Sequence, residues 1–269
     1  MAFTLATWNI NSVRLRLPIV LRFLEEHAPD VLCLQEIKCR DDQFPAADLK
    51  KAGYIHQAVY GFKGYHGVAI LSRHPFAGSD RHLFCGKEDG RALTVRFDEG
   101  PLAGVEIANF YVPAGGDIPD PALNERFAHK LAFLDEFAVW SAARATAAAK
   151  TILVGDLNVA PLEQDVWSHK QLLDVVSHTP VECALLGRLQ ASNDWVDIGR
   201  HFHPAPARLY TWWSYRAKDW AASDRGRRLD HMWMTRDVAD KAVAHRVVEP
   251  ARSWEKPSDH IPIITEFAF

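Results

Sequence analysis

The chain has 269 residues, 48% of them hydrophobic and 24% charged, which supplies a sizeable core and excludes a fibrous or wholly disordered protein. A formal net charge of -3 gives no overall attraction for nucleic acid, so any phosphate binding must come from the local distribution of Lys and Arg. The N-terminus lacks the basic start and long apolar stretch of a signal peptide, and no run approaches the ~20 apolar residues of a membrane span; a cytoplasmic protein without a membrane partner is expected. Cys33, Cys39, Cys85 and Cys183 are far apart with no C-x-x-C pair, which argues against a zinc knuckle or a disulfide framework and for reduced thiols. Sandwiches of this length fold as one unit, so residues 1–269 are expected to form a single domain.

In chain order, Ala2 to Ile10 reads as a strand and Leu17 to His27 as a helix, with Pro18 in its first turn and apolar residues recurring around Ile19, Val20, Phe23 and Leu24. Further strand-like runs are Asp30 to Gln35, Tyr54 to Tyr60, Gly67 to Ser72, Ala92 to Phe97, Val105 to Val112 and Thr151 to Val159. The series closes with Leu229 to Thr235, Val243 to Val248 and Ile261 to Phe267. Helical spacing returns in Pro121 to Ala149 and in Pro180 to Ala191, while Pro113 to Pro121, Pro161 to Lys170 and Pro204 to Arg208 read as loops. Several strands follow one another between helices, which fits an α/β four-layer α-β-β-α sandwich of two packed mixed sheets better than one parallel sheet.

Polar residues stand at the ends of these apolar runs, where sites in α/β folds concentrate. The segments are Thr7-Trp8-Asn9-Ile10-Asn11, Leu34-Gln35-Glu36-Ile37-Lys38, Gly155-Asp156-Leu157-Asn158, Arg228-Leu229-Asp230-His231 and Ser258-Asp259-His260-Ile261-Pro262. A carboxylate ending a buried strand, as Glu36 does, must find a cation or a donor, and a metal is the economical partner. Asp156 and Asn158 project to one side of an extended chain and could share a hard cation or a phosphate. Adjacent Asp and His combine metal or proton chemistry with an imidazole that donates to phosphate. Each segment alone admits a plainer reading: a turn for Gly155 to Asn158, a helix N-cap for Ser258, a surface ion pair for Glu36.

Taken in order with Asn109-Phe110-Tyr111-Val112-Pro113, these segments resemble the exonuclease III branch of the endonuclease/exonuclease/phosphatase superfamily, from Trp8 to Pro262. The resemblance implies a DNase I-like sandwich and a Mg²⁺-dependent hydrolase, with Mn²⁺ as a substitute, since carboxylate and amide oxygens suit these ions better than zinc. It implies that Glu36 binds the metal and that Asn9 orients it or touches the metal, with Asp156, Asn158, Asp259 and His260 completing the set. Asp156 would orient or deprotonate the attacking water, Asn158 hold water and phosphate, and His260, fixed by Asp230, contact the scissile phosphate. Asp259 would assist the leaving oxygen and Tyr111 donate to phosphate; a packed core residue is the alternative for Tyr111, and pairing with Arg228 the alternative for Asp230. Asn11 and Lys38 would line the substrate site, with a cap and a solvated lysine as alternatives.

Substrate choice falls to the loops. Tyr210-Thr211-Trp212-Trp213-Ser214-Tyr215-Arg216 continues through Trp220 to Arg225-Gly226-Arg227-Arg228, and aromatics beside cations can cover a sugar or stack on bases while arginines hold phosphate. With Lys218, these arginines make the stretch from Arg208 to Arg236 the electropositive segment of the chain. Trp212 is the expected pocket wall, with Arg216 and Arg227 beside it; the alternative is that Trp212 or Trp213 packs on the sandwich. The resemblance thus implies a monomer that incises double-stranded DNA 5′ to abasic sites, trims 3′ ends as a 3′-5′ exonuclease and cleans blocked 3′ termini. Ala114 stands where abasic-site members often carry Asn, which leaves the balance of these activities open. The rival readings are the same core acting on soluble or lipid phosphate esters, and a DNA-binding protein with a decayed site.

Overall fold

The computed structural model describes residues 2–147, 149–217 and 219–268. Lys218, counted above in the basic segment, lies outside them, as does Ala148 in the expected helical stretch. Two six-stranded mixed sheets form the centre. The first contains β1 (Ala2–Asn9), β2 (Val31–Gln35), β3 (His56–Tyr60), β4 (Val68–Ser72), β13 (Ala242–Val247) and β14 (Ile263–Ala268), in the order β13-β14-β1-β2-β4-β3. The second contains β5 (Gly78–Phe84), β6 (Lys87–Phe97), β7 (Val105–Tyr111), β8 (Lys150–Asp156), β9 (Val196–Asp197) and β12 (Asp230–Met234), in the order β5-β6-β7-β8-β12-β9. A separate pair, β10 (Trp212–Trp213) and β11 (Gly226–Arg227), folds the aromatic-basic loop back on itself.

Alternation along each strand assigns one face to the partner sheet and the other to helices. Phe3, Leu5, Val31 and Cys33 of the first sheet meet Val95, Ile107, Ile152 and Met232 of the second in a shared core. The intervening residues Ala6, Trp8, Leu32 and Leu34 face outward onto α1 (Leu17–His27) through its buried Ile19, Val20, Phe23 and Leu24. On the far side, Ala108, Phe110, Leu153 and Trp233 receive Phe133, Leu134 and Phe137 of α3 (Glu125–Thr146) and Leu186 and Leu189 of α5 (Pro180–Ala191). Between α1 and α3 comes a short α2 (Ala46–Lys51), and between α3 and α5 a short α4 (His169–Leu172). The expected four layers are present. No described helix is long and apolar enough to cross a membrane.

Strand β5 was not legible in the pattern because its stretch Ser79-Asp80-Arg81-His82 is polar; it is an edge strand bonded only to β6 and mostly exposed. The four cysteines are free, two buried and two partly so, as expected.

Candidate active site

Strand register converges the functional ends. β1 and β2 run parallel with Asn9 opposite Gln35, and β7 and β8 run parallel with Tyr111 opposite Asp156, so the residues at these ends emerge together at one edge of the sandwich. Antiparallel β12 brings Asp230 to the other side of Asp156. Below them a polar tie links the sheets: the buried Gln35 side chain donates to Asn109 Oδ1 at 2.7 Å, and Asn109 Nδ2 donates to the carbonyls of Leu34 and Ala69 at 3.0 and 2.9 Å. The β8 end also depends on a glycine. Gly155 has φ +138°, and a Cβ there would fall 1.9 Å from the Phe110 carbonyl oxygen of the neighbouring strand.

Among the described residues, the one cluster with three ligand-bearing side chains is Glu36, Asp156 and His260, whose donor atoms lie within 4.8 Å of one another. Asn9 sits between the carboxylates: its Nδ2 donates to Glu36 Oε1 at 2.9 Å and to Asp156 Oδ2 at 2.8 Å, while its oxygen accepts from the Asn11 backbone N–H at 3.0 Å. The amide thus holds both carboxylates, with its oxygen turned away from them. Lys38 Nζ lies 2.8 Å from Glu36 Oε2. Burial works to raise the Glu36 carboxyl, but the Lys38 ammonium and the hydrogen bond from Asn9 outweigh it and hold the group below its usual range.

Asp156 is fully buried and pushed up to about 7, first by burial and then by the neighbouring carboxylates Asp230 and Glu36, against the opposing pull of His260. Asn158, in a left-handed backbone conformation (φ 53°), donates to it twice, from its backbone N–H at 2.9 Å and its side chain at 3.1 Å. His260 Nδ1 donates to Asp230 Oδ2 at 2.8 Å and its Nε2 lies 3.7 Å from Asp156 Oδ2. Burial alone would favour the neutral ring; the carboxylates of Asp230 and Asp156 reverse that and raise His260 to about 10. An imidazolium, a carboxylate pair and a third carboxylate braced by lysine therefore share one edge. Oxygen donors from Glu36 and Asp156 fit a hard divalent cation such as Mg²⁺ or Mn²⁺.

The other expected residues take distinct places. Asp230 pairs with His260, and Arg228 is taken up elsewhere, buried against Asp165 and Asp197. Asp259 stands beside the cluster, accepting from Asn11 Nδ2 at 2.9 Å and from the Trp212 indole at 3.0 Å; Asn11 Oδ1 accepts from Lys38. Tyr111 is both packed and at the site: buried, with its phenol pushed well above the usual range first by burial and then by Glu36 and Asp156, and with the Arg91 guanidinium 4.9 Å over its ring. Trp213 is buried against Tyr210 and Trp220, whereas Trp212 stays half-exposed beside the site.

The basic segment is smaller than its count suggests. Besides Arg228, Arg208 pairs with Asp224 at 3.1 Å and Arg236 with Asp194 at 3.6 Å. Arg216, Arg225 and Arg227 remain along a cleft of about 550 Å³ that opens from Glu36, Asn158 and His260 past Trp212. Arg227 lies 5.2 Å over the Trp212 ring and donates to Ser177 Oγ at 2.7 Å; Arg225 lies 4.7 Å over Trp167. A second cleft of about 610 Å³ shares Glu36 and Gly116 with the first and extends along Phe62, Tyr65, His66, Arg91 and Tyr111.

Several supporting contacts were not expected from the sequence. Thr211 Oγ1 accepts from the backbone N–H of Leu229 and Asp230 at 3.0 and 3.1 Å and so sets the Asp230 end, and Ser258 Oγ donates to the Asn9 carbonyl at 2.6 Å. Trp167 and Arg91 join from distant stretches. No local pattern marks these contacts, because each links positions 18 or more apart.

Known proteins are similar to this one over nearly the whole chain. Exodeoxyribonuclease III of Haemophilus influenzae is 29% identical over 97% of this chain and 98% of its own. Among solved structures, an AP endonuclease from Archaeoglobus fulgidus aligns with a TM-score of 0.90 and 32% identity, covering 99% of this chain and 100% of that one. The 3′-5′ exonuclease of Neisseria meningitidis aligns with a TM-score of 0.90 and 30% identity over the same shares. The family model described as Endonuclease/Exonuclease/phosphatase family matches residues 6–260, from the strand that ends in Asn9 to His260 itself, and the chain belongs to that family.

Proposed function

We propose that this protein is a single-domain, monomeric, cytosolic DNA repair nuclease that uses Mg²⁺ or Mn²⁺, incises duplex DNA 5′ to abasic sites, and degrades or cleans 3′ ends. The observation that carries this reading is the Glu36–Asp156–His260 cluster opening onto a cleft walled by Trp212, Arg216, Arg225 and Arg227. The relatives named above as an exodeoxyribonuclease, an AP endonuclease and a 3′-5′ exonuclease support it.

Glu36 and Asp156 would hold the cation, with Asn9 keeping the two carboxylates at their spacing. When bound, it supplies positive charge against the scissile phosphate. His260, kept protonated by Asp230, places a second positive charge where phosphate oxygens gain negative charge in the transition state. The Asp156 carboxylate, with the Asn158 amide beside it, would orient a water and accept its proton. Asn11, Lys38 and Asp259 line the path of the leaving strand, and the Tyr111 hydroxyl donates to phosphate. Trp212 would cover the exposed sugar at a lesion while Arg216 and Arg227 hold flanking phosphates.

The test is cleavage of an end-labelled duplex carrying one abasic-site analogue, with and without Mg²⁺, beside an undamaged duplex with a recessed 3′ end. Metal-dependent incision at the lesion and stepwise shortening of the recessed strand are expected. If neither strand is cut, the DNA substrate is wrong.

A further inference from the structure

Beneath the loops that carry the site lies a charged pair the chemistry above does not use. Lys130, on the inward side of α3, and Glu182, in the first turn of α5, are both fully buried. Taking two charges out of water costs several kcal/mol per ion, and uncharged residues of similar volume often pack such a place at no loss of stability. The partners of the pair show what the charge accomplishes. The Lys130 ammonium has three donors and three acceptors: the Asn158 carbonyl at 2.8 Å, the Ala114 carbonyl at 3.3 Å and the Glu182 carboxylate. Glu182 in turn accepts from the backbone N–H of Ser177 at 2.9 Å and from the Thr179 hydroxyl at 2.6 Å. One pair therefore joins the loop after β7, the loop after β8 and the segment leading into α5, all of which border the cleft at Ala114, Asn158 and Ser177.

The bond to Asn158 is the one that reaches the chemistry. A non-glycine residue in the left-handed region persists only where its surroundings over-determine it. Here the Asn158 carbonyl is held by Lys130 while its N–H and side chain are held by Asp156 and, at 2.9 Å, by the Val112 carbonyl. The loop after β7 closes directly on the lysine stem: a Cβ on Gly115 (φ +92°) would lie 2.9 Å from Lys130 Cδ and 3.0 Å from Val176 Cγ1.

We propose that Lys130, backed by Glu182, is a positioning residue that fixes the Asn158 carbonyl and thereby aims its side-chain amide at Asp156 and the reacting phosphate. The inference rests on the nuclease reading given above. Its test uses Lys130→Met combined with Glu182→Gln, which removes both charges at nearly constant volume so that neither is left buried alone. Lys130→Arg, which keeps the charge against Glu182 but moves the donors off the Asn158 carbonyl, serves the same purpose if the double variant does not fold.

In the folded variant, kcat on the abasic duplex is expected to fall by roughly 10- to 100-fold, as small misplacements of a reacting group do. KM, and the affinity for the same duplex in EDTA measured by fluorescence anisotropy, should stay within about twofold of the parent's. The same substitutions in an Asn158→Ala background should leave kcat where Asn158→Ala alone puts it, because nothing remains to be aimed. A folded variant with the parent's kcat, or one whose loss is equally large in the Asn158→Ala background, overturns the proposal. A parent enzyme that cuts neither test duplex sinks the nuclease reading, and the proposal with it.

Discussion

At His260, burial and charge pull in opposite directions, and charge wins because two carboxylates flank one ring. Asp230 is the closer of them, and with its second oxygen buried and unbonded among the described residues, its one side-chain hydrogen bond there goes to the imidazole. Asp230→Asn should therefore lower the titration of His260 well below about 10, read by NMR, and reduce kcat by roughly 10²-fold, the loss typical when one stabilising donor to a developing anion is removed. An unchanged His260 titration would mean that Asp156 alone supports the ring. Asn9, Glu36, Asp156, Asn158, Asp230 and His260 were legible because each lies in a short segment ending or flanking an apolar strand, and the ordered segments resemble one family. The sequence could not show how Asn9 would be used: a ligand oxygen was one reading, yet its N–H groups face the carboxylates. Nor could it separate arginines. Arg228 looked like part of a basic surface and is a buried counter-charge to Asp165 and Asp197, a fact that depends on residues 63 and 31 positions away.

At the scale of elements, the site is a meeting of strand ends whose register is fixed from beneath. Phe110 pairs with Gly155 one step before Tyr111 pairs with Asp156, and the strands approach so closely there that a side chain on Gly155 has no room. Gly155→Ala must separate β7 from β8 or abandon φ +138°, and is expected to cost about 3 to 5 kcal/mol in urea denaturation, combining overpacking with backbone strain. A loss below about 1 kcal/mol would show that the strand ends are freely adjustable. The long helices and central strands were readable from period and alternation because they bury one face. Helix Pro180–Ala191 was expected from its spacing with the same bounds, and the structure adds a proline in its first turn and a capping box of Thr179 and Glu182. The polar edge strand β5 and the two-residue strands β9, β10 and β11 carry no such period, since their pairing is decided by the strand alongside.

For the molecule as a whole, two sheets sharing one core leave little place for charge, and the buried His231 and His245 are held neutral. Burial lowers His231 and His245 from 6.5 to about 4, the neighbouring Arg228 acting in the same sense on His231 and His203 on His245. A depressed histidine adds stability that is fully present above its unfolded value and is lost as pH falls through the folded one. The melting temperature should therefore decline between about pH 6.5 and 4, and replacing His245 with Gln should flatten that decline; a melting temperature constant across this window would contradict the account.

The most direct test of the proposal that a cation held at the joined strand ends drives phosphodiester cleavage is single-turnover incision of an abasic duplex by Glu36→Gln and Asp156→Asn beside the parent enzyme. Both changes keep size and hydrogen-bonding shape while removing charge from the cluster. Incision is expected to fall by at least ~10³-fold in each, with the affinity for the duplex in EDTA nearly unchanged. Incision near the parental rate in either variant would contradict it.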